Sequence, residues 1–181
     1  MSTEEQLTGT WVIDPMHTRL GFSTRHAMVS RIRGAFNVVE GVVSIDADDL
    51  SKTEATISID VDSVDTRTPD RDAHLRSADF FDVEKYPKIT FTSTGVDEVE
   101  EGSYIVNGDL TIRDVTRSVS IPLELLGVDR DQNGVLRVGL EGKRRIDRKD
   151  WGVTWNTKLD SGGVLVSDKI TLEFELALIQ E

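Results

Sequence analysis

The sequence contains no cysteine, and its cations are far outnumbered by its carboxylates. The absence of cysteine excludes disulfides, thiolate nucleophiles and cysteine-ligated metal sites. Lysine and arginine total 21 against 33 aspartates and glutamates, which gives a formal net charge of −12. A chain with this charge repels phosphate backbones and anionic lipid headgroups, so we expect no nucleic acid partner.

Long apolar runs are also missing, so we expect no transmembrane helix and no stable membrane insertion. The first residues, MSTEEQLTGTW, lack the basic and apolar regions of a secretory signal, and we therefore expect a cytoplasmic protein. The 181 residues contain no linker, repeat or low-complexity tract. We expect one domain over residues 1–181, with residues 1–9 as a flexible N-terminal tail.

The sequence does contain a regular alternation of apolar and polar residues. From Ile170 to Leu178 every second residue is apolar, and those between are mostly polar. A period of two is typical of a strand with one buried face. The same reading predicts eight to ten strands in all, at about residues 10–14, 18–26, 31–46, 57–61, 89–91, 104–112, 119–125, 136–140 and 170–178.

These strands predict an all-β antiparallel fold. A large open sheet leaves two exposed edges, and closure into a barrel removes them, so we predict a barrel of about eight strands. One segment departs from the alternation. Pro69 and the aspartates that follow it favour the start of a short helix, which we place at about residues 69–78.

Two irregularities are expected within the strands. In the segment 31–46 the apolar parity changes between Val38 and Val39, which predicts a bulge or bend near Glu40–Gly41. Pro122 interrupts an alternating strand and lacks a backbone N–H. It therefore predicts a bulge or an unpaired position.

No catalytic motif is recognisable, and we expect no catalytic residue, no metal and no cofactor. A phosphate-binding glycine loop and a nucleophile elbow are both missing. His17 and His26 are nine positions apart on one predicted strand, so they point to opposite faces and cannot share a metal. An enzyme that uses His26 or His74 with an aspartate remains an alternative, and it requires such a pair inside a cavity.

The segment Asp129–Gly134 resembles the first half of a calcium-binding EF-hand loop. However, the twelfth position of that loop is Leu140 rather than a glutamate, and strands flank the segment. Asn133 and Gly134 are better explained as a hairpin turn that needs a positive φ.

A cluster of cations stands out in this acidic chain: Lys143, Arg144, Arg145, Arg148 and Lys149. Arg144 shares its parity with Val138 and Leu140, so strict alternation directs it towards the interior. A buried, unpaired cation is costly. Two readings stay open: a contact with a ligand headgroup at the mouth of the barrel, or a slip of register at Gly142 that returns Arg144 to solvent.

Several segments together resemble the YceI-like family. Residues 17–26 are similar to its opening H-[ST]-x-[IL]-x-F-x-x-x-H strand. Residues 63–66 and 71–82 resemble its central signature, which residues 86–93 continue. The C-terminal blocks correspond to residues 108–116 and 147–153. The resemblance extends from about Thr10 to Leu178.

This resemblance implies an extended, lipocalin-like barrel whose apolar tunnel binds a polyisoprenoid or a similar long amphiphile. It implies no catalysis, and a homodimer is common in the family. The sequence departs from the family pattern at Thr24, where an aliphatic residue is frequent, and in the lack of an export signal. A ligand-free stress-response or interaction scaffold is the alternative function.

The candidate ligand-binding residues combine the inward-facing parity with the matched motifs. Phe80 and its neighbour Phe81 are expected either to plug the tunnel base or to pack against the helix. The full set is Thr18, Leu20, Phe22, His26, Phe36, Phe80, Phe91, Leu110, Leu123, Val138, Arg144, Trp151 and Phe174.

Overall fold

Strands dominate the computed structural model, which describes residue 3, residues 5–160 and residues 163–181. The strands are β1 (Gly9–Ile13), β2 (Arg19–His26), β3 (Ser30–Phe36), β4 (Val39–Ile45), β5 (Glu54–Asp60), β6 (Val64–Asp65), β7 (Lys88–Glu100), β8 (Ser103–Ile112), β9 (Val115–Arg130), β10 (Leu136–Asp147) and β11 (Lys169–Gln180). The helix α1 (Pro69–Arg76) confirms the prediction to within two residues. Short 3₁₀ turns occupy Glu5–Leu7, Leu50–Lys52, Val61–Ser63 and Arg148–Trp151.

Eight of the strands form a closed antiparallel barrel. Their order is β1-β4-β5-β7-β8-β9-β10-β11, and β11 pairs back onto β1. Closure joins Val12 to Ile179 in the register of that last pair. The predicted eight-stranded barrel is therefore confirmed.

The other three strands continue the barrel wall beyond its closed part. β2 follows β1 along the same edge of β11, while β3 pairs with β2 and β6 pairs with β3. At three neighbouring positions in the wall, two separate strands thus follow one another along the same line. These pairs are β1 and β2, β4 and β3, and β5 and β6. At the first interruption the Thr18 hydroxyl donates to the carbonyl of Ala177 at 3.2 Å and accepts from its N–H at 3.0 Å. This side chain replaces ladder bonds that the kinked backbone does not make.

The segment 31–46 is broken at Asn37 and Val38, which separate β3 from β4. The expected bend near Glu40–Gly41 is therefore wrong by about three residues. Gly41 has a different role, because a Cβ at this position would lie 2.7 Å from Cδ1 of Ile13 and 3.0 Å from the carbonyl oxygen of Thr56. Its small size permits close packing between strands.

Two other local predictions are confirmed. Residues 131–135 form the turn between β9 and β10, with Gly134 at φ +80°. Pro122 pairs with Ile105 of β8, but the pairing of β9 with β10 ends at Glu124. Pro122 is therefore unpaired on the side where its missing N–H would matter.

Part of the segment predicted as a flexible tail packs against the barrel. Leu7 is buried, and its carbonyl accepts a 2.7 Å hydrogen bond from the indole of Trp11, which is itself fully buried. Residues 1, 2 and 4 lie outside the described part of the chain. No helix among the described residues is long and apolar enough to cross a membrane.

Candidate functional site

An apolar cavity of about 190 Å³ occupies the barrel interior. Its wall contains 27 residues, of which only Thr53 and Tyr104 carry a polar side-chain group. On β11 the wall residues alternate from Leu172 to Leu178, which is a length of about 20 Å at roughly 3.4 Å per residue. This elongated apolar cavity is called the tunnel below.

Seven of the thirteen candidate residues lie on the tunnel wall. They come from β2, β3, β7, β8, β9, β10 and β11, and each occupies the inward-facing parity of its strand. These residues are Leu20, Phe36, Phe91, Leu110, Leu123, Val138 and Phe174. Their contact with a ligand stays a prediction.

The remaining aromatic candidates lie beside the tunnel rather than on its wall. Phe22 is buried, and its ring centroid lies 5.7 Å from that of Phe36. Phe80 stacks at 5.4 Å on Trp155. Trp151 is buried, and its indole N–H donates to the carbonyl of Leu110 at 2.9 Å. These rings fill the core between the tunnel and the helix end of the barrel.

The two polar candidates from the opening motif both contact neighbouring backbone. Thr18 bonds to the β11 backbone as described above. His26 is partly exposed, and its backbone forms an isolated bridge with Val166. Neither residue belongs to the tunnel wall.

Arg144 is exposed without any slip of register. Its strand stays paired with β11 without interruption, and Arg144 is opposite Leu172, a residue of the tunnel wall. The slip proposed at Gly142 is therefore wrong. Exposure has another cause: β9 pairs with β10 only as far as Glu141, so the wall has no neighbouring strand on that side of Arg144. The residue keeps its inward-facing parity at a gap in the wall.

The described part of the chain contains two histidine–carboxylate pairs, and both lie outside the tunnel. Nε2 of His74 is 2.8 Å from Oδ2 of Asp79, with both side chains 40% or more exposed. Nδ1 of His17 is 2.6 Å from Oδ2 of Asp14, and His17 precedes β2 rather than sharing a strand with His26. The pair inside a cavity that an enzyme would require is not found among the described residues, nor is a group of three or more potential metal ligands.

Asp14 lies at the kink between β1 and β2, where its carboxylate contacts the side chains of His17 and Arg137. Burial by itself raises its pKa. The hydrogen bonds from His17 and Arg137 outweigh that effect and hold the pKa of Asp14 below its usual value. Arg137 donates at 2.8 Å to Asp14 and at 2.7 Å to Asp131 of the β9–β10 turn. The charged Asp14 thus ties the β1–β2 kink to the neighbouring hairpin.

Sequence reasoning missed most of the tunnel wall. Leu140, Leu172 and Leu176 follow the same alternation as the candidates and were recognisable from it. Leu7 gave no such signal, because it belongs to a 3₁₀ turn ahead of the first strand.

A family model for the YceI-like domain matches residues 11–178. The chain belongs to the YceI-like family. It is 33% identical over 164 residues to a UPF0312 protein of Staphylococcus aureus, which covers 90% of this chain and 93% of the relative. It is 36% identical over 145 residues to a UPF0312 protein of Vibrio cholerae, which covers 79% of this chain and 77% of that relative.

Solved structures show the same fold. A YceI protein of Campylobacter jejuni has a TM-score of 0.74 at 27% identity, covering 87% of this chain and 90% of that one. BcnA of Burkholderia cenocepacia has a TM-score of 0.77 at 24% identity, covering 91% of this chain and 98% of that one. A polyisoprenoid binding domain of Saccharophagus degradans has a TM-score of 0.72 at 16% identity, covering 94% and 98%. These likenesses agree with the YceI-like barrel described above.

Proposed function

We propose that this YceI-like protein is a non-enzymatic carrier that holds one long isoprenoid chain, or a similar amphiphile, in its tunnel. The observation that carries this proposal is the length and uniform apolarity of the wall, which contains no charged residue. The polyisoprenoid binding named for the Saccharophagus degradans domain supports the same ligand class.

The energetics favour such a ligand without any charged contact. Burial contributes roughly 0.8 kcal/mol per methylene-sized group, so one five-carbon isoprene unit contributes about 4 kcal/mol. Lost translational and chain freedom opposes binding by several kcal/mol. Two or three buried units therefore exceed that cost. The cavity is smaller than the roughly 300–1,000 Å³ of common ligand pockets, and its wall follows β11 from Leu172 to Leu178, so its shape favours a slender ligand over a bulky one.

Arg144 is the proposed headgroup contact. It stands opposite Leu172 at the gap between β9 and β10, where the tunnel wall meets solvent. No ion pair joins it to a carboxylate of residues 3, 5–160 or 163–181. An anionic headgroup would thus meet an unneutralised guanidinium.

The first experiment is mass spectrometry of an organic extract of the purified protein, together with the native mass of the intact complex. A stoichiometric isoprenoid in the extract is the expected result, and the native mass also tests the predicted homodimer. An extract without lipid, combined with no uptake of added farnesol or longer polyprenols, would refute the carrier function and favour a ligand-free scaffold.

A second experiment uses matched variants. Leu176→Trp places an indole on the tunnel wall and should abolish uptake of polyprenol, whereas Glu175→Trp adds the same ring on the exposed outer face and should leave uptake unchanged. For the headgroup, Arg144→Ala should weaken binding of polyprenyl phosphate by about tenfold, as expected for a lost charge-assisted hydrogen bond. Arg145→Ala on the outer parity is its control, and equal affinities in both variants would refute the role of Arg144.

A further inference from the structure

The hairpin of β2 and β3 concentrates positive charge in an otherwise acidic protein. Residues 15–39 contain no aspartate or glutamate and four arginines, although the whole chain carries a net charge of −12. Arg25, Arg31 and Arg33 are all exposed. The register places Arg25 directly opposite Arg31, and Arg33 follows on the same face. The charge of the molecule is therefore segregated rather than uniform.

The three arginines are not neutralised by ion pairs within the described chain. Carboxylates on the adjoining strands β11 and β6 have other partners: Glu173 lies 3.3 Å from Arg19, and Asp65 accepts hydrogen bonds from the Asn37 amide at 3.2 Å and the backbone N–H of Arg67 at 2.9 Å. Like charges directly opposite each other destabilise an antiparallel pair. The Arg25–Arg31 pair therefore opposes folding unless an external anion compensates it.

The tip of this hairpin is apolar and solvent-exposed. Met28 is 54% exposed and Val29 is 81% exposed. Ala27 and Met28 lie in the three-residue turn 27–29 and have a positive φ of 51° and 64°, a conformation that favours glycine and asparagine. Local preferences are thus violated twice in one hairpin, by its charge pairing and by its turn residues. Such violations are expected at functional sites.

The tip is held firmly in its exposed position. The N–H of Ala27 donates to the carbonyl of Leu165 at 2.7 Å, and the N–H of Ser167 donates to the carbonyl of Arg25 at 3.1 Å. The hairpin is therefore braced from one side by residues 165–167, while its outer face stays free.

We propose that the β2–β3 hairpin docks this protein onto an anionic lipid bilayer, with Met28 and Val29 inserted among the headgroups and Arg25, Arg31 and Arg33 on the lipid phosphates. An apolar tip with arginines along the adjoining outer face matches the layered chemistry of a bilayer surface, in which anionic headgroups cover an apolar interior. An acidic protein surface offers the charge but not the apolar layer beneath it. Docking of this kind is peripheral and goes beyond the proposed carrier function, on which it does not depend.

The opposite end of the barrel supplies an internal control. β7 and β8 run to a hairpin at the end where β11 finishes, whereas β2 runs antiparallel to β11, so the two hairpin tips point to opposite ends. Val99 near the β7–β8 tip is 64% exposed, comparable to the apolar residues of the β2–β3 tip. Its neighbours are carboxylates: Asp97, Glu98, Glu100 and Glu101.

The test is co-sedimentation with vesicles of phosphatidylcholine alone and of phosphatidylcholine mixed equally with phosphatidylglycerol. We expect binding only to the anionic vesicles and a steep decrease with salt. Arg31→Gln with Arg33→Gln should weaken binding about 25-fold, since each basic residue near such a surface contributes about fivefold. Val29→Ser should weaken it about tenfold. Val99→Ser should leave it unchanged.

Further binding measurements distinguish membrane docking from ligand uptake and from binding to an acidic protein. The tunnel-blocked Leu176→Trp variant should still bind anionic vesicles, because docking uses the outer face of the hairpin. Equal binding to both vesicle types, or unaltered binding by folded hairpin variants, would overturn the proposal. Binding to soluble polyglutamate without binding to vesicles would also overturn it and indicate an acidic protein as the partner.

Discussion

A larger side chain should change the free energy of unfolding in opposite directions at two positions on the same face of β10. Leu140 and Ile146 share the inward-facing parity of β10, but only Leu140 lies on the tunnel wall. Ile146 is buried in the filled core beside Trp151. We expect Leu140→Phe to stabilise the empty protein and Ile146→Phe to destabilise it.

The magnitudes follow from the cavity. At about 24 cal/mol per Å³, an empty volume of about 190 Å³ reduces the free energy of unfolding by roughly 4–5 kcal/mol relative to a filled interior. A phenyl ring at Leu140 fills part of this volume and should recover about 0.5–1 kcal/mol. The same change at Ile146 has no space to fill and should cost about 1–3 kcal/mol through overpacking.

Urea denaturation of the delipidated protein, followed by the fluorescence of its three tryptophans, measures both changes. In thermal melts 1 kcal/mol corresponds to about 2–4 °C for a domain of this size. If Leu140→Phe proves as destabilising as Ile146→Phe, the interior is packed and the tunnel is not free space. Stabilisation of Leu140→Phe should be accompanied by weaker uptake of polyprenol, because the ring and the ligand occupy the same volume.

Two further perturbations test the frame of the barrel. Asp14→Asn should lower the free energy of unfolding by about 2–3 kcal/mol at neutral pH, because charge-assisted hydrogen bonds are lost. Since the pKa of Asp14 is lowered in the folded state, its contribution is present above the usual value near 3.9 and is lost as the pH falls through the folded pKa. Urea titrations of both proteins at acidic pH should therefore converge, and a constant difference would contradict this reasoning. Gly142→Ala should cost about 2 kcal/mol or more, because its Cβ would collide with the carbonyl oxygen of Pro122, whereas Gly127→Ala has no neighbour within 4 Å and should be neutral or slightly stabilising. Equal melting temperatures for the two alanine variants would refute the close approach.

Alternation was sufficient to predict the barrel, because a strand with one face towards a closed interior must carry apolar residues at every second position. The helix was recognisable from Pro69 for a similarly local reason. Seven wall residues followed from parity alone. In these cases the residues that determine the local structure are neighbours in the sequence.

The interrupted strands could not be located in this way. Gly41 suggested a bend, yet its small size serves contacts with Ile13 and Thr56, which are distant in sequence. Arg144 illustrates the same limit. Alternation correctly placed it on the inward-facing side of β10, but its exposure depends on where the pairing of β9 with β10 ends. Parity fixes the side of the sheet to which a residue points, whereas the neighbouring strands decide whether that side is enclosed.

The position of β11 in the sheet has a consequence for how the barrel folds. This single strand pairs with β10, with β2 and with β1, so it joins the beginning of the domain to its end. Bringing Val12 to Ile179 closes a loop of nearly the whole chain, and its entropy cost must be met before that contact contributes any stability. Until β11 docks, β1, β2 and β10 each present an unpaired edge to other chains. We therefore expect folding in the range of about milliseconds to seconds typical of such topologies, and we expect chains in which β11 is not yet docked to be the most prone to aggregate.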